Sequence, residues 1–256
     1  MKRLLKTIVF GALNKLGKRL EPNPHYAVKG YKIDEDLATI INNRSPICLD
    51  VGANVGQTIE MLVDSLDNPK VFSFEPSTAI HQALADKIRQ NLPKWNNVEL
   101  FKLALGEAPS ELEFKNYGNT LLSSFLDLAD DTRNPFHGNK DTVTTLETVE
   151  VSTVDLFVQE HNLSQIDLLK IDTQGFDLNV LKGAKKSFEQ GLIKNVFLEM
   201  NFCPLYDKQG SPSQMIDFLA QYDFQLVDIY EKYRSHGTPH LSWCSGLFSI
   251  LNTPAK

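Results

Sequence analysis

The 256-residue sequence predicts an α/β fold built on a mostly parallel sheet, and three observations predict it. From Pro46 onward, short apolar runs alternate with amphipathic helical patterns, the signature of crossover units. Seven of the runs are apolar enough to be strands covered on both faces. A glycine turn, Asp50-Val51-Gly52-Ala53-Asn54-Val55-Gly56, follows the first run and opens a helix, as at the ligand-binding switch point of a doubly wound sheet.

The strands are expected at Ile47 to Val51, Val71 to Glu75, Val98 to Leu103, Ile166 to Asp172, Val196 to Met200, Gln225 to Tyr230 and Gly246 to Leu251. Helices are expected at Gln57 to Leu66, Ser77 to Asn91, Asp177 to Gln190 and Ser211 to Tyr222, each with an apolar face such as Leu178, Leu181, Ala184 and Phe188. Ser77 and Ser211 read as N-caps, and Pro212 sits where the first helical turn tolerates proline. Leu105 to Val151 breaks the alternation with patches such as Glu111 to Tyr117 and Thr142 to Val151 around a polar middle. It reads as a β-rich insertion at about 105–151 carrying a mobile loop. The last two strands read as an antiparallel pair closing one sheet edge. Residues 25–256 are expected to form a single domain.

Composition narrows the function. Hydrophobic residues make up 42% and charged residues 23% of the chain, and the net charge is -6, which argues against a nucleic-acid binder. Cys48, Cys203 and Cys244 are too few and too scattered for a disulfide framework, so a reducing, cytoplasmic location is expected. Residues 1–24 stand apart, because Lys2, Arg3, Lys6, Lys15, Lys18 and Arg19 precede the first acid, Glu21. With Leu4, Leu5, Ile8, Val9, Leu13 and Leu16 at helical spacing, this basic segment has two readings. It packs on its own domain or a second subunit, or residues 1–20 lie on an anionic membrane surface. The apolar stretch is too short for a membrane span or a secretory signal.

The turn at Asp50 to Gly56 reads G-x-N-x-G, and Gln57 stands where a third glycine would extend a dinucleotide fingerprint. Asp50 would repel a pyrophosphate yet suits a cationic amino group or sulfonium. Glu75, ending the second strand before Pro76, is placed to accept both hydroxyls of a ribose. Together these residues specify an adenosine-bearing ligand without a pyrophosphate, which disfavours a nicotinamide dehydrogenase.

Asp50 to Gly56 (DVGANVG), Phe74 to Pro76 (FEP), Leu122-Ser123-Ser124, Leu169 to Gly175 (LKIDTQG) and Leu181 to Ala184 (LKGA) resemble the FkbM family of S-adenosylmethionine-dependent methyltransferases. The resemblance covers roughly Pro46 to Leu251. It implies a Rossmann-like class I sheet of seven strands with helices on both faces and an antiparallel edge strand. Asp50, Gly52, Ala53, Asn54 and Gly56 would then form the cofactor loop, with Glu75 and Pro76 at the ribose and Ala104 near the adenine. Glu107 is the one acid near that end. Lys170, Asp172 and Gln174 would carry the acceptor chemistry, and Ser123, Ser124, Glu199, Asn201 and Tyr206 would line the acceptor pocket. Many relatives have Glu where Gln174 stands, so Asp172, assisted by Lys170, is the better candidate base.

The implied reaction is methyl transfer to a hydroxyl, of a sugar in a glycan or a glycosylated metabolite. An N-methyltransferase and a non-catalytic binding domain of the same fold are the alternatives. Asp172, Glu199 and Asn201 are hard oxygen donors that suit magnesium, but ordinary polar lining explains them as well, and no metal is expected. The histidines His25, His81, His137, His161, His236 and His240 lack a metal-ligand spacing. Trp243 suits stacking on a sugar ring or core packing equally.

Overall fold

A computed structural model describes residues 28, 30–136, 142–235 and 239–250. The expectations for residues 1–24 and for His25, His137 and His236 therefore lie outside the described residues. The strands are β1 (Ile47–Val51), β2 (Lys70–Phe74), β3 (Val98–Phe101), β4 (Ala104–Leu105), β5 (Ser110–Tyr117), β6 (Val143–Ser152), β7 (Leu168–Ile171), β8 (Asn195–Asn201), β9 (Phe224–Tyr233) and β10 (Trp243–Ile250). The helices are α1 (Ile33–Ile40), α2 (Gln57–Ser65), α3 (Thr78–Gln90), α4 (Val154–Glu160), α5 (Asp177–Lys182), α6 (Lys185–Glu189) and α7 (Pro212–Ala220).

Seven strands form one sheet in the order β3-β2-β1-β7-β8-β10-β9, parallel except for β10, which runs against both of its neighbours. The antiparallel pair closes the sheet edge, with the reversed strand lying inside β9. Residues 104–152 contribute a second, three-stranded sheet, β4-β6-β5. Strand order switches between β1 and β7, so the crevice above their carboxyl ends is the expected ligand position.

Alternation along the central strands sorts side chains into two cores. Leu49, Val51, Phe72, Phe74, Leu169 and Ile171 point to one face, and Cys48, Val71 and Leu168 to the other. On the first face Phe72, Phe74 and Phe101 meet Phe157 of α4 edge-on, with ring centroids 4.8–5.3 Å apart. Such pairs add about 0.5–1.5 kcal/mol each beyond area burial. The second face turns polar one step up: Ser73, Asp50 and Lys170 stand side by side in register on β2, β1 and β7.

Four elements differ from expectation. Ser77 occupies the N-cap position of α3, but its hydroxyl makes no capping bond. The cap comes instead from β6, where Glu147 accepts from the Thr78 amide at 3.0 Å and from the Thr78 hydroxyl. Those bonds and one from Asn116 outweigh partial burial and hold the Glu147 carboxyl below its usual range. Ser211, by contrast, forms a full capping box with Gln214.

The single helix expected over Asp177 to Gln190 is two helices, α5 and α6, broken at Gly183-Ala184. The break lets backbone meet backbone. A Cβ on Gly183 would lie 1.9 Å from the Gly106 carbonyl oxygen, while the Gly183 carbonyl accepts from the Asp155 amide at 3.0 Å. Helices α1 and α4 were not expected; both are short, and α4 starts from a Thr153 cap within a β-branched stretch.

Gly183 has φ of -71°, so helix propensity alone would make Gly183→Ala stabilising by about 1 kcal/mol. The clash with Gly106 reverses the sign, and a loss of about 1–3 kcal/mol is expected. A urea midpoint that rises in this variant would refute the close packing.

Candidate active site

A cavity of about 390 Å³ opens above the carboxyl ends of β1, β2, β7 and β8, within the roughly 300–1,000 Å³ usual for small-molecule sites. Its first wall is the turn after β1. The Gly52 and Ala53 amides both donate to the Phe74 carbonyl, at 3.1 and 3.0 Å, which fastens the turn to β2. Gly52 has φ of +81°, and a Cβ there would lie 1.9 Å from the Asp172 carbonyl oxygen, so only glycine lets this turn cross the end of β7.

Glu75 forms the next wall. Its carboxylate accepts from the Asn54 amide and from the Ser77 amide, each at 2.9 Å, leaving lone pairs toward the cavity. Burial is the dominant influence and pushes its pKa up to about 7, against the two amide bonds. Pro76 and Ala104 also line the cavity, joined by Ile80, Leu103, Leu105 and Phe114 in an apolar end beside Glu75. Glu107 is not part of it and pairs with Lys182 at 3.2 Å.

At the floor, Lys170 of β7 is almost fully buried, with its ammonium 2.8 Å from the Gly52 carbonyl oxygen and 3.1 Å from Asp50 Oδ1. Burial lowers its pKa, but Asp50 and Asp172 outweigh that effect and hold it above the usual lysine range. Asp50 is fully buried behind the wall, between Lys170 and the Ser73 hydroxyl. Asp172 lies 4.0 Å from the Lys170 ammonium on the cavity wall, and its side chain is 41% exposed.

Asp172 is held by a relay. Gln174 Nε2 donates to Asp172 Oδ1 at 2.8 Å, and the Tyr206 hydroxyl reaches Gln174 Oε1 at 3.0 Å and the Leu122 carbonyl at 3.2 Å. Gln174 has φ of +53°, a setting that the Ser124 hydroxyl fixes by donating to its carbonyl. Asp177, which sequence reasoning missed, accepts from the Thr173 and Gly175 amides at 3.2 and 3.1 Å and so shapes the same turn. Burial, reinforced by the charge of Asp172, pushes its pKa up to about 7 despite those bonds.

The structure thus brings Gly52, Ala53, Asn54, Glu75, Pro76, Ala104, Ser123, Lys170, Asp172, Gln174 and Glu199 to one cavity. Asp50, Gly56, Ser124, Asn201 and Tyr206 stand behind its wall. Gly56 starts α2 against Leu84 and Trp95, Asn201 is buried and donates to Glu199 Oε2 at 3.3 Å, and Tyr206 is buried in the relay. Burial first, then Asp172 and Asp177, raises the Glu199 pKa well above the usual range. Glu231 and Ser245 also line the cavity and were not expected there.

His81, His161 and His240 do not line it, and Trp243 stacks on Tyr233 at 3.9 Å. Among the described residues, no group of three or more His, Cys, Asp or Glu side chains is placed to hold a metal ion. None of the helices described there is long and apolar enough to cross a membrane.

A sheet of this order, with a glycine turn and an acid at adjacent strand ends beneath one cavity, defines a Rossmann-like methyltransferase fold. A model of the methyltransferase FkbM domain matches residues 50–226, and the chain belongs to that family of methyltransferases. It is 22% identical over 204 residues to the 2-O-methyltransferase NoeI of Sinorhizobium fredii, across 77% of this chain and 79% of that protein. It is 24% identical over 215 residues to the AMB antimetabolite synthetase AmbE of Pseudomonas aeruginosa, covering 70% of this chain but only 10% of that protein. The solved structure of a methyltransferase FkbM from Methylobacillus flagellatus shares the fold, with a TM-score of 0.50 and 16% identity, over 81% of this chain and 44% of that one.

The Asp177 carboxyl has a folded pKa above its unfolded value, so the folded state keeps a proton that the unfolded chain releases. Its contribution to stability therefore declines as pH rises from about 4 to about 7. In urea titrations across that range, Asp177→Asn is expected to flatten part of the decline; parallel midpoint profiles would remove this assignment.

Proposed function

We propose that the chain is an S-adenosylmethionine-dependent O-methyltransferase acting on a hydroxyl of a sugar, in a glycan or a glycosylated metabolite. The observation that carries this reading is Asp172. It is an accessible carboxylate fixed at the cavity wall beside a buried ammonium, next to a glycine turn suited to a nucleoside. The name of NoeI, a 2-O-methyltransferase, supports oxygen as the receiving atom.

The residues present fit S-adenosylmethionine. Asn54 Oδ1 and Thr173 Oγ1, on the cavity wall, are buried without hydrogen-bond partners and suit the amino-acid end of a ligand. Glu75 would accept the ribose hydroxyls, and the apolar end formed with Ile80, Leu103 and Phe114 would enclose the base. When bound, S-adenosylmethionine supplies a methyl group activated by a sulfonium. The chain's own part is alignment and proton removal. Lys170 holds the Gly52 turn in place, Gln174 and Tyr206 orient Asp172, and Asp172 takes the proton of the acceptor hydroxyl.

Two measurements test this. Isothermal titration is expected to show S-adenosylhomocysteine binding that weakens roughly 10- to 100-fold in Glu75→Ala, the cost of losing hydrogen bonds to a charged group. Unchanged affinity would displace Glu75 from the ribose. Transfer of labelled methyl into a panel of glycosides should fall about 100-fold or more in Asp172→Asn, with cofactor affinity retained. A largely active variant would instead favour an amine as the receiving group.

A further inference from the structure

Glu231 reaches the cavity through an irregularity in β9. Tyr230 pairs with Ser245 and Tyr233 with Trp243, so β9 carries one residue more than β10 between those pairs. This is a β-bulge, a device that re-aims a side chain. Glu231 sits in it with φ of +50°, in the left-handed region that ordinarily suits glycine. The Ser245 hydroxyl donates to Glu231 Oε2 at 2.6 Å, and both residues line the cavity. Ser245 also stands in register with Glu199 of β8. The polar wall thus continues outward from Asp172 and Glu199, across β10 to β9, away from the Gly52 and Glu75 end.

We propose that Glu231, held by Ser245, is a specificity-determining residue that accepts a second hydroxyl of the acceptor while another is methylated at Asp172. The inference rests on the O-methyltransferase reading and names its substrate class: an uncharged polyol. Ser245 occupies one oxygen of Glu231 and leaves the other free to accept a hydroxyl hydrogen. The same wall disfavours acceptors carrying a carboxylate or phosphate near the reacting hydroxyl. Among the described residues the cavity is lined by no arginine, and its one lysine, Lys170, is engaged by Asp50 and the Gly52 carbonyl. Among the described lining residues, an anion would meet Glu231 and Asp172 with no free cation to offset them. The position is that of a positioning and selecting group, distant in the fold from the cofactor turn.

The test uses the full chain loaded with S-adenosylhomocysteine and reads weak binding by saturation-transfer NMR, so that turnover is not required. The probes are methyl β-D-glucopyranoside, D-glucuronate and D-glucose 6-phosphate. The neutral glycoside is expected to bind at least about ten-fold more tightly than either anion. Glu231→Ala should weaken the glycoside about ten-fold, the loss of a hydrogen bond to a charged group. Glu231→Gln, which keeps the side-chain volume in the bulge but removes its charge, should shrink the neutral-over-anion preference to less than about three-fold. Both variants should bind S-adenosylhomocysteine as the wild type does, a result that a merely structural role would not give. Equal binding of the anions, no binding of the glycoside to the loaded protein, or variants that behave as wild type would each overturn the role of Glu231 while leaving the methyltransferase reading intact. Failure of S-adenosylhomocysteine to load at all would overturn both.

Discussion

The ion pair between Asp50 and Lys170 is the constraint on which the rest of the site depends. The two residues stand opposite each other on parallel neighbours β1 and β7, at the level where the apolar rows of the sheet end. Removing two charges from water costs several kcal/mol each, and only close mutual attraction with further hydrogen bonds offsets it. Here the further bonds are Ser73 to Asp50 and Lys170 to the Gly52 carbonyl. The pair therefore does more than neutralise itself. It joins the strand that carries the glycine turn to the strand that carries Asp172, at the switch in strand order.

That junction is tight because it is made by backbone. The Gly52 turn and the Asp172 carbonyl approach so closely that no side chain fits between them, and the turn that follows Asp172 is shaped by Asp177 from within the fold. Carboxylates in such surroundings resist ionisation, and Glu75, Asp177 and Glu199 all have raised pKa values in which burial is the leading cause. Asp172 differs in being substantially exposed at the cavity. The site thus sets one accessible carboxylate beside buried ones.

What was legible in the sequence follows the range of the interactions. β1 runs from Ile47 to Val51 as its apolar pattern indicates, and Gly52 and Glu75 were readable at the cavity because a glycine turn and a strand-end acid are local signals, whereas the burial of Asp50 on Lys170 was not. The break between α5 and α6 was not readable. It arises from contact with Gly106, far away in the chain, while the apolar spacing of Leu178, Leu181, Ala184 and Phe188 stays helical throughout. Ser77 looked like a cap for the same reason, since nothing local reveals that Glu147 of β6 supplies it. Tyr206 was readable as a residue near the site, but only the folded chain places it behind Gln174. The turn toward Glu231 had no local sign either, because a bulge is a mismatch between two strands and Glu231 lacks the glycine that would mark a left-handed position.

This division of range also divides the cavity by its construction. The end next to Gly52 and Glu75 takes its turn and its acid from the ends of consecutive strands β1 and β2, which short motifs mark in the sequence. The opposite end draws Ser123 from the segment between β5 and β6, Glu199 from β8, and Glu231 and Ser245 from the antiparallel pair at the sheet edge. Those segments are held together only by the whole fold, and each can vary without disturbing the turn after β1. The choice of acceptor must then be read from this chain's own wall, where a bulge spends backbone strain to bring a carboxylate to the cavity. The bulge and the Ser245 hydroxyl together fix the direction of the Glu231 side chain, which the regular alternation of β9 would not do.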